Sequence, residues 1–157
     1  MKKNDKTNVM RILEQKGIAC RAHFYQADSS LTGAEIAGLL GEKPECVFKT
    51  LVTVGKSGRY YVFVIPVTGE LNLKKAAAAA GEKAVSMLPQ KQLLTLTGYV
   101  HGGCSPIGMK KAFPTFMDAS AAEKERVYVS AGKVGCQTEL APGDLQRATG
   151  LTWADLV

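Results

Sequence analysis

The sequence predicts a mixed α/β fold, a mixed sheet or small barrel with helices outside it. Three observations carry this reading. Strand patterns come in adjacent pairs, at 47–54 with 59–67 and at 126–131 with 135–140, as antiparallel neighbours do. Helical patterns separate these pairs. The chain has neither a G-x-G-x-x-G nor a Walker A run, which lowers the case for a doubly wound nucleotide-binding sheet.

The elements follow in order. Val9, Ile12 and Leu13 fall at helical spacing, and Gly17 is a plausible stop. Residues 19–26 look extended. Thr32 and Glu35 form a T-x-x-E capping box ahead of Ile36, Leu39 and Leu40, and Gly41 ends that helix. Val47–Val54 is rich in β-branched residues; Gly55-Lys-Ser-Gly58 reads as a hairpin turn, and Arg59–Val67 as the partner strand. The alanine run Ala76–Ala80 belongs to a third helix from about Asn72, stopped by Gly81. A fourth opens near Pro89 and stops at Gly98. Residues 98–114 form a Gly/Pro-punctuated loop. Short strands follow at 115–118, 126–131 and 135–140. Pro142 opens a helix to Gly150, and a short helical turn, holding Trp153 as a docking residue, is expected to close the chain.

Composition narrows the function. The chain of 157 residues suits one domain over 1–157, with 46% hydrophobic and 22% charged residues in ordinary globular proportion. The segment before Val9 is polar, with Lys2, Lys3, Asp5 and Lys6, so no signal peptide is read there. Apolar runs such as Tyr60–Val67 are too short to span a bilayer, and the expectation is a cytoplasmic protein. Cys20, Cys46, Cys104 and Cys136 form no C-x-x-C pair, which fits reduced thiols and no metal site. A formal charge of +6 favours an anionic partner.

Two features could carry chemistry. Lys49 lies inside an apolar strand, where a lysine must snorkel to water, pair with an acid, or line a cavity. Alternation puts it on one face with Val47, Leu51 and Thr53. The loop Gly98–Gly108 holds four glycines in eleven residues and includes a G-x-x-x-P run, Gly102 to Pro106. Such a loop can turn backbone N–H groups onto a developing oxyanion, or be a plain turn. Cys104 and His101 suggest a cysteine hydrolase, but residues three apart in a Gly-rich loop have no fixed mutual geometry. Ser105 lacks a G-x-S-x-G setting. His23 reads as structural or surface, Tyr25 as half-buried with its hydroxyl at a rim, and 127–135 as a hairpin. Gln137 offers an amide to a ligand without local demand for one.

Taken together, His23-Phe-Tyr25, Val47-Phe-Lys-Thr-Leu51, Leu71-Asn-Leu-Lys-Lys75, Gly98-Tyr-Val-His-Gly-Gly-Cys-Ser-Pro-Ile-Gly108, Val127-Tyr-Val-Ser130 and Glu139-Leu-Ala-Pro-Gly-Asp-Leu145 resemble, in order, the YbaK/EbsC family of free-standing aminoacyl-tRNA deacylases, relatives of the prolyl-tRNA synthetase editing domain. The resemblance implies a curved, barrel-like mixed sheet with surrounding helices. It implies removal of cysteine from mischarged Cys-tRNA(Pro), with the substrate's own thiol attacking its ester and leaving as a thiolactone. Lys49, Gly102 and Gly103 take the catalytic roles it implies; Tyr25, Tyr99, Cys104, Ser105, Pro106, Ser130 and Gln137 take substrate-binding ones. It implies no cofactor and no metal. The partner is the aminoacylated 3′ end of tRNA, with prolyl-tRNA synthetase as a candidate second partner, and neither DNA nor membrane. Two positions depart from the family pattern. Gln137 stands where an acid is common, and His101 where an apolar residue is expected. Both bear on substrate choice, so alanine or another small amino acid is the alternative substrate. A non-catalytic tRNA- or nucleotide-binding regulator is the alternative of a different class.

Overall fold

The computed structural model describes residues 6–26 and 30–157. In chain order the elements are α1 (Asn8–Gln15), β1 (Arg21–Phe24), α2 (Gly33–Leu40), β2 (Phe48–Gly55), β3 (Tyr60–Pro66), α3 (Leu73–Ala80), β4 (Val85–Met87), α4 (Leu93–Thr97), β5 (Thr115–Asp118), β6 (Val127–Ser130), β7 (Cys136–Leu140), α5 (Pro142–Thr149) and β8 (Thr152–Ala154). Local chemistry sets several ends. Thr32 accepts from the Glu35 N–H while the Glu35 carboxylate accepts from the Thr32 N–H, so the capping box closes in both directions. Gly41, Gly81, Gly98 and Gly150 end their helices in the left-handed region, where a residue with a side chain would be strained.

The strands form two sheets. One is antiparallel, in the order β1-β7-β6; the other is mixed, in the order β4-β2-β3-β5-β8, with β3–β5 and β5–β8 parallel. A single bridge, Val47 to Tyr128, joins them. The expected mixed α/β architecture is therefore present, but the sheet does not close into a barrel. Two short strands escape sequence reading. β4 and β8 have three residues each, too few to show alternation. The segment expected to form a final helical turn is β8, and Trp153 pairs beside Met117 on β5. The helix expected from Pro89 is a 3₁₀ turn, Gln90–Gln92, leading into the five-residue α4.

Alternation along β2 and β3 divides the core. Phe48 and Val52 pack with Val62 and Val64 on one side, beneath α1 and α5. Leu51 packs with Tyr61, Phe63 and Ile65 on the other, against Ala76 and Ala77 of α3. Phe63 is fully buried, and its ring stacks on Phe116 of β5 at 5.5 Å between centroids. A smaller cluster of Ala37, Val47 and Tyr128 fastens α2 over the junction of the two sheets. The site forms beside that junction.

Candidate functional site

A cavity of about 500 Å³, the size of a small-ligand site, opens between four parts of the chain. Ser30 to Ala34 and Ile36, at and inside the start of α2, form one wall. Leu93, His101, Gly102 and Cys104 form the opposite wall. Lys49, Thr50 and Leu51 of β2 line it from the mixed sheet, and Ser130 and Gln137 from the antiparallel one.

The backbone phase of β2 explains why this strand faces the cavity. Val67 donates to the Val47 carbonyl and Gly55 to the Arg59 carbonyl, so the odd-numbered residues of β2 turn their peptide groups toward β3. The even-numbered ones turn away. There β4 pairs only with Thr53–Gly55, and Leu88 takes the Val52 carbonyl. Phe48 and Thr50 lie past the end of β4, where Phe48 borders the Val47–Tyr128 bridge and Thr50 has no pairing strand beside it among the described residues. Residues of both side-chain faces reach the cavity there, which is why Thr50 joins Lys49 although alternation separates them.

Lys49 makes no ion pair among the described residues. Among the described residues no carboxylate lines the cavity. Three buried side-chain oxygens near it have no hydrogen-bond partner among the described residues: Tyr25 Oη, Thr50 Oγ1 and Gln137 Oε1. Gln137 is 5% exposed. A buried acceptor left unmade costs about 1–3 kcal/mol, so such a group is expected where a ligand completes it. Tyr25 does not line the cavity. It follows β1, with its N–H donating to Gly135, on the face that carries His23 and Gln137.

The Gly-rich loop is held from behind. Tyr99 is buried, and its hydroxyl donates to the Ile107 carbonyl. Burial pushes it up to about 12, with the Cys104 thiol adding to the rise. Ser105 is fully buried and accepts from the Ile107 N–H at 3.2 Å. Pro106 is buried as well. Tyr99, Ser105 and Pro106 therefore brace the loop rather than line the cavity, because the loop is short and must fill its own interior. A Cβ on Gly103 would stand 3.0–3.1 Å from the backbone of Lys133 and Val134, so the loop packs directly on the β6–β7 turn. The Gly103 N–H closes a turn to Val100 at 3.0 Å and is spent. Gly102 and Cys104 line the cavity, and neither N–H has an acceptor among the described residues.

Cys104 is 8% exposed, and burial pushes its thiol up to about 12, against a small opposing effect of Thr97. A thiol so protonated is a poor nucleophile at neutral pH. Among the described residues no cluster of His, Cys, Asp and Glu could hold a metal ion. Brief iodoacetamide treatment of the native protein at pH 8 is expected to label exposed Cys20 and to spare Cys104 and Cys136. Rapid labelling of Cys104 would contradict this placement.

Behind Gln137 the same sheet face carries a charged network that sequence reading missed. His23 Nε2 lies 2.7 Å from Glu139 Oε1, and Arg126 Nε donates to Glu139 Oε2 at 3.1 Å. The His23 and Tyr128 rings are 5.3 Å apart. Burial alone would raise Glu139, but hydrogen bonds from His23, Arg126 and Tyr128 outweigh it and hold the carboxyl below its ordinary value. The folded state thus binds this proton less readily than the unfolded chain. The resulting stability is complete above the ordinary carboxylate value and is lost as pH falls through the folded one. Urea midpoints compared between pH 7 and pH 3 should fall less for Glu139→Gln than for the native protein; equal falls would refute the assignment.

The chain is similar to known proteins along most of its length. The family described as the aminoacyl-tRNA editing domain matches residues 28–148. A protein of Enterococcus faecalis named "Putative Cys-tRNA(Pro)/Cys-tRNA(Cys) deacylase EbsC" is 44% identical over 156 residues, 99% of this chain and 95% of that protein. A solved structure described as "a putative trans-editing enzyme for prolyl tRNA synthetase" superposes with a TM-score of 0.84 at 26% identity, over 97% of this chain and 98% of that one. The structure of "hypothetical protein APE2540" superposes with a TM-score of 0.87 at 28% identity, over 96% and 99%. Among the described residues no helix is long and apolar enough to cross a membrane. With the family match spanning most of the chain and the fold shared along its length, the chain belongs to the aminoacyl-tRNA editing domain family.

Proposed function

We propose that the protein is a cytoplasmic trans-editing deacylase that removes cysteine from mischarged Cys-tRNA(Pro), through a single editing domain over residues 1–157. The observation that carries the reading is the cavity itself. Among the described residues it holds one lysine with no counter-ion, no carboxylate, and partnerless buried oxygens around it. Such a site suits a small ligand that brings its own hydrogen-bond donors and an anionic or strongly polar group for Lys49.

In this reading Lys49 holds the 3′ end of the tRNA, and the Gly102 and Cys104 N–H groups polarise the ester carbonyl. Gln137 Oε1, with Tyr25, Thr50 and Ser130 around it, accepts from the substrate's amino group. Burial keeps the Cys104 thiol protonated, which makes it a poor nucleophile. The substrate's own thiolate then attacks the ester carbon. The bond from that carbon to the ribose oxygen breaks, the ribose oxygen takes up from water the proton that the thiol had released to water, and a thiolactone leaves. The enzyme supplies a bent conformation and charge stabilisation. Identity of the tRNA comes from an association with prolyl-tRNA synthetase.

The test is deacylation of labelled Cys-tRNA(Pro) and Ala-tRNA(Pro), with product analysis. Loss of cysteine alone, released as thiolactone, is the expected result. Loss of alanine at a similar rate would refute the thiol mechanism, and no loss of either would refute the activity. Gln137→Leu is a sharper probe, because it removes an unsatisfied buried acceptor. It should raise stability by about 1 kcal/mol while lowering kcat/KM, whereas a merely structural glutamine would lose stability.

A further inference from the structure

The two chain segments that supply walls of the cavity differ in charge. From Lys83 to Met117 the chain carries four lysines, Lys83, Lys91, Lys110 and Lys111, with His101, and not one Asp or Glu. This stretch contains α4 and the Gly-rich loop. The opposite wall, from Ser30 to Cys46, carries Glu35, Glu42 and Glu45 against Lys43 alone.

The lysines of the basic wall are placed around α4. Lys91 lies two residues before Leu93, which lines the cavity. Lys110 packs its stem against Gly98, bonds its N–H to the Thr97 carbonyl at 3.0 Å, and sets its ammonium 3.4 Å from the Thr95 carbonyl. Lys111 follows it, and all three are exposed. None makes an ion pair among the described residues, whereas Lys75 of the Lys74-Lys75 pair is bound to Asp155. On the same segment Leu94 and Val100 stand 54% and 49% exposed, apolar surface that a ribose or base face could cover.

We infer that the acceptor stem of the RNA substrate lies across the α4 and Gly-rich-loop wall, with its phosphates on Lys91, Lys110 and Lys111, and not over the α2 wall. The inference rests on the deacylase reading. It adds the direction in which the stem leaves the cavity. Phosphate contacts of this kind give salt-dependent affinity without sequence preference.

The experiment compares native protein, a Lys91→Ala/Lys110→Ala/Lys111→Ala variant, and a charge-matched Lys43→Ala/Lys56→Ala/Lys74→Ala variant. Each is assayed on full-length Cys-tRNA(Pro) and on cysteinyl-adenosine, which has no stem. The α4-wall variant should raise KM for the tRNA about tenfold, lower the salt slope of binding by about 2, and leave cysteinyl-adenosine turnover unchanged. The control variant should behave as native. Unchanged KM and slope in the α4-wall variant would overturn the inference. So would loss in the control variant alone, or an equal loss on cysteinyl-adenosine. Native protein inactive on both substrates would instead sink the deacylase reading on which it rests.

Discussion

Replacing Lys49 with alanine is expected to lower kcat/KM for Cys-tRNA deacylation at least about a hundredfold, the scale on which a single preorganised charge stabiliser acts. The lysine sits on β2 and lines a cavity that, among the described residues, has no carboxylate and offers it no ion-pair partner. Removing it breaks no ion pair among the described residues, so thermal stability should change little. This separation of effects distinguishes a ligand-facing lysine from a structural one. Lys49→Arg keeps the charge but replaces a compact ammonium with a planar fork, and it should recover only part of the loss. Full activity in Lys49→Ala would remove the central element of the proposed mechanism. A large loss of stability with the activity loss would recast Lys49 as part of the fold.

Phe63→Ala is expected to have the largest effect on stability, about 3–5 kcal/mol. Phe63 lies in the middle of the central strand of the mixed sheet, is fully buried, and stacks on Phe116 of the parallel neighbour. Truncation removes the burial of a large ring and leaves a void that flanking β2 and β5 cannot close without breaking their pairing. For a chain of this length the melting midpoint should fall by roughly 10 °C. Phe63→Leu, which keeps most of the volume, should cost less than half as much. Similar losses for both variants would mean that the aromatic stack, rather than the filled volume, carries the stabilisation.

Much of the fold could be read because its signals are local. The capping box at Thr32 and Glu35, the glycine helix ends, and the alternation of β2 each depend on residues within a few positions of one another. Lys49 stood out because a cation inside an apolar strand needs a reason. Features built from distant segments were not readable. His23 and Glu139 meet across 116 positions of sequence. β8 acquires its extended form by pairing with β5, which no property of Thr152-Trp-Ala announces. Thr50 appeared to point away from Lys49, because alternation says nothing of where a neighbouring strand stops. Tyr99 and Gly103 were expected in the site on their motif, and the fold uses them beneath it. The hydroxyl of one and the N–H of the other close bonds within the loop.

The single bridge between Val47 and Tyr128 has an evolutionary consequence. Lys49 and Gln137 belong to separately hydrogen-bonded sheets, and packing of side chains holds those sheets at their spacing. A change of side-chain volume at Ala37 or Tyr128, neither of which lines the cavity, can alter that spacing without touching a lining residue. Divergence in the size of the accepted amino acid therefore needs no mutation among ligand-contacting residues. Relatives with identical cavity linings can differ in what they accept, with the difference written in the junction behind them.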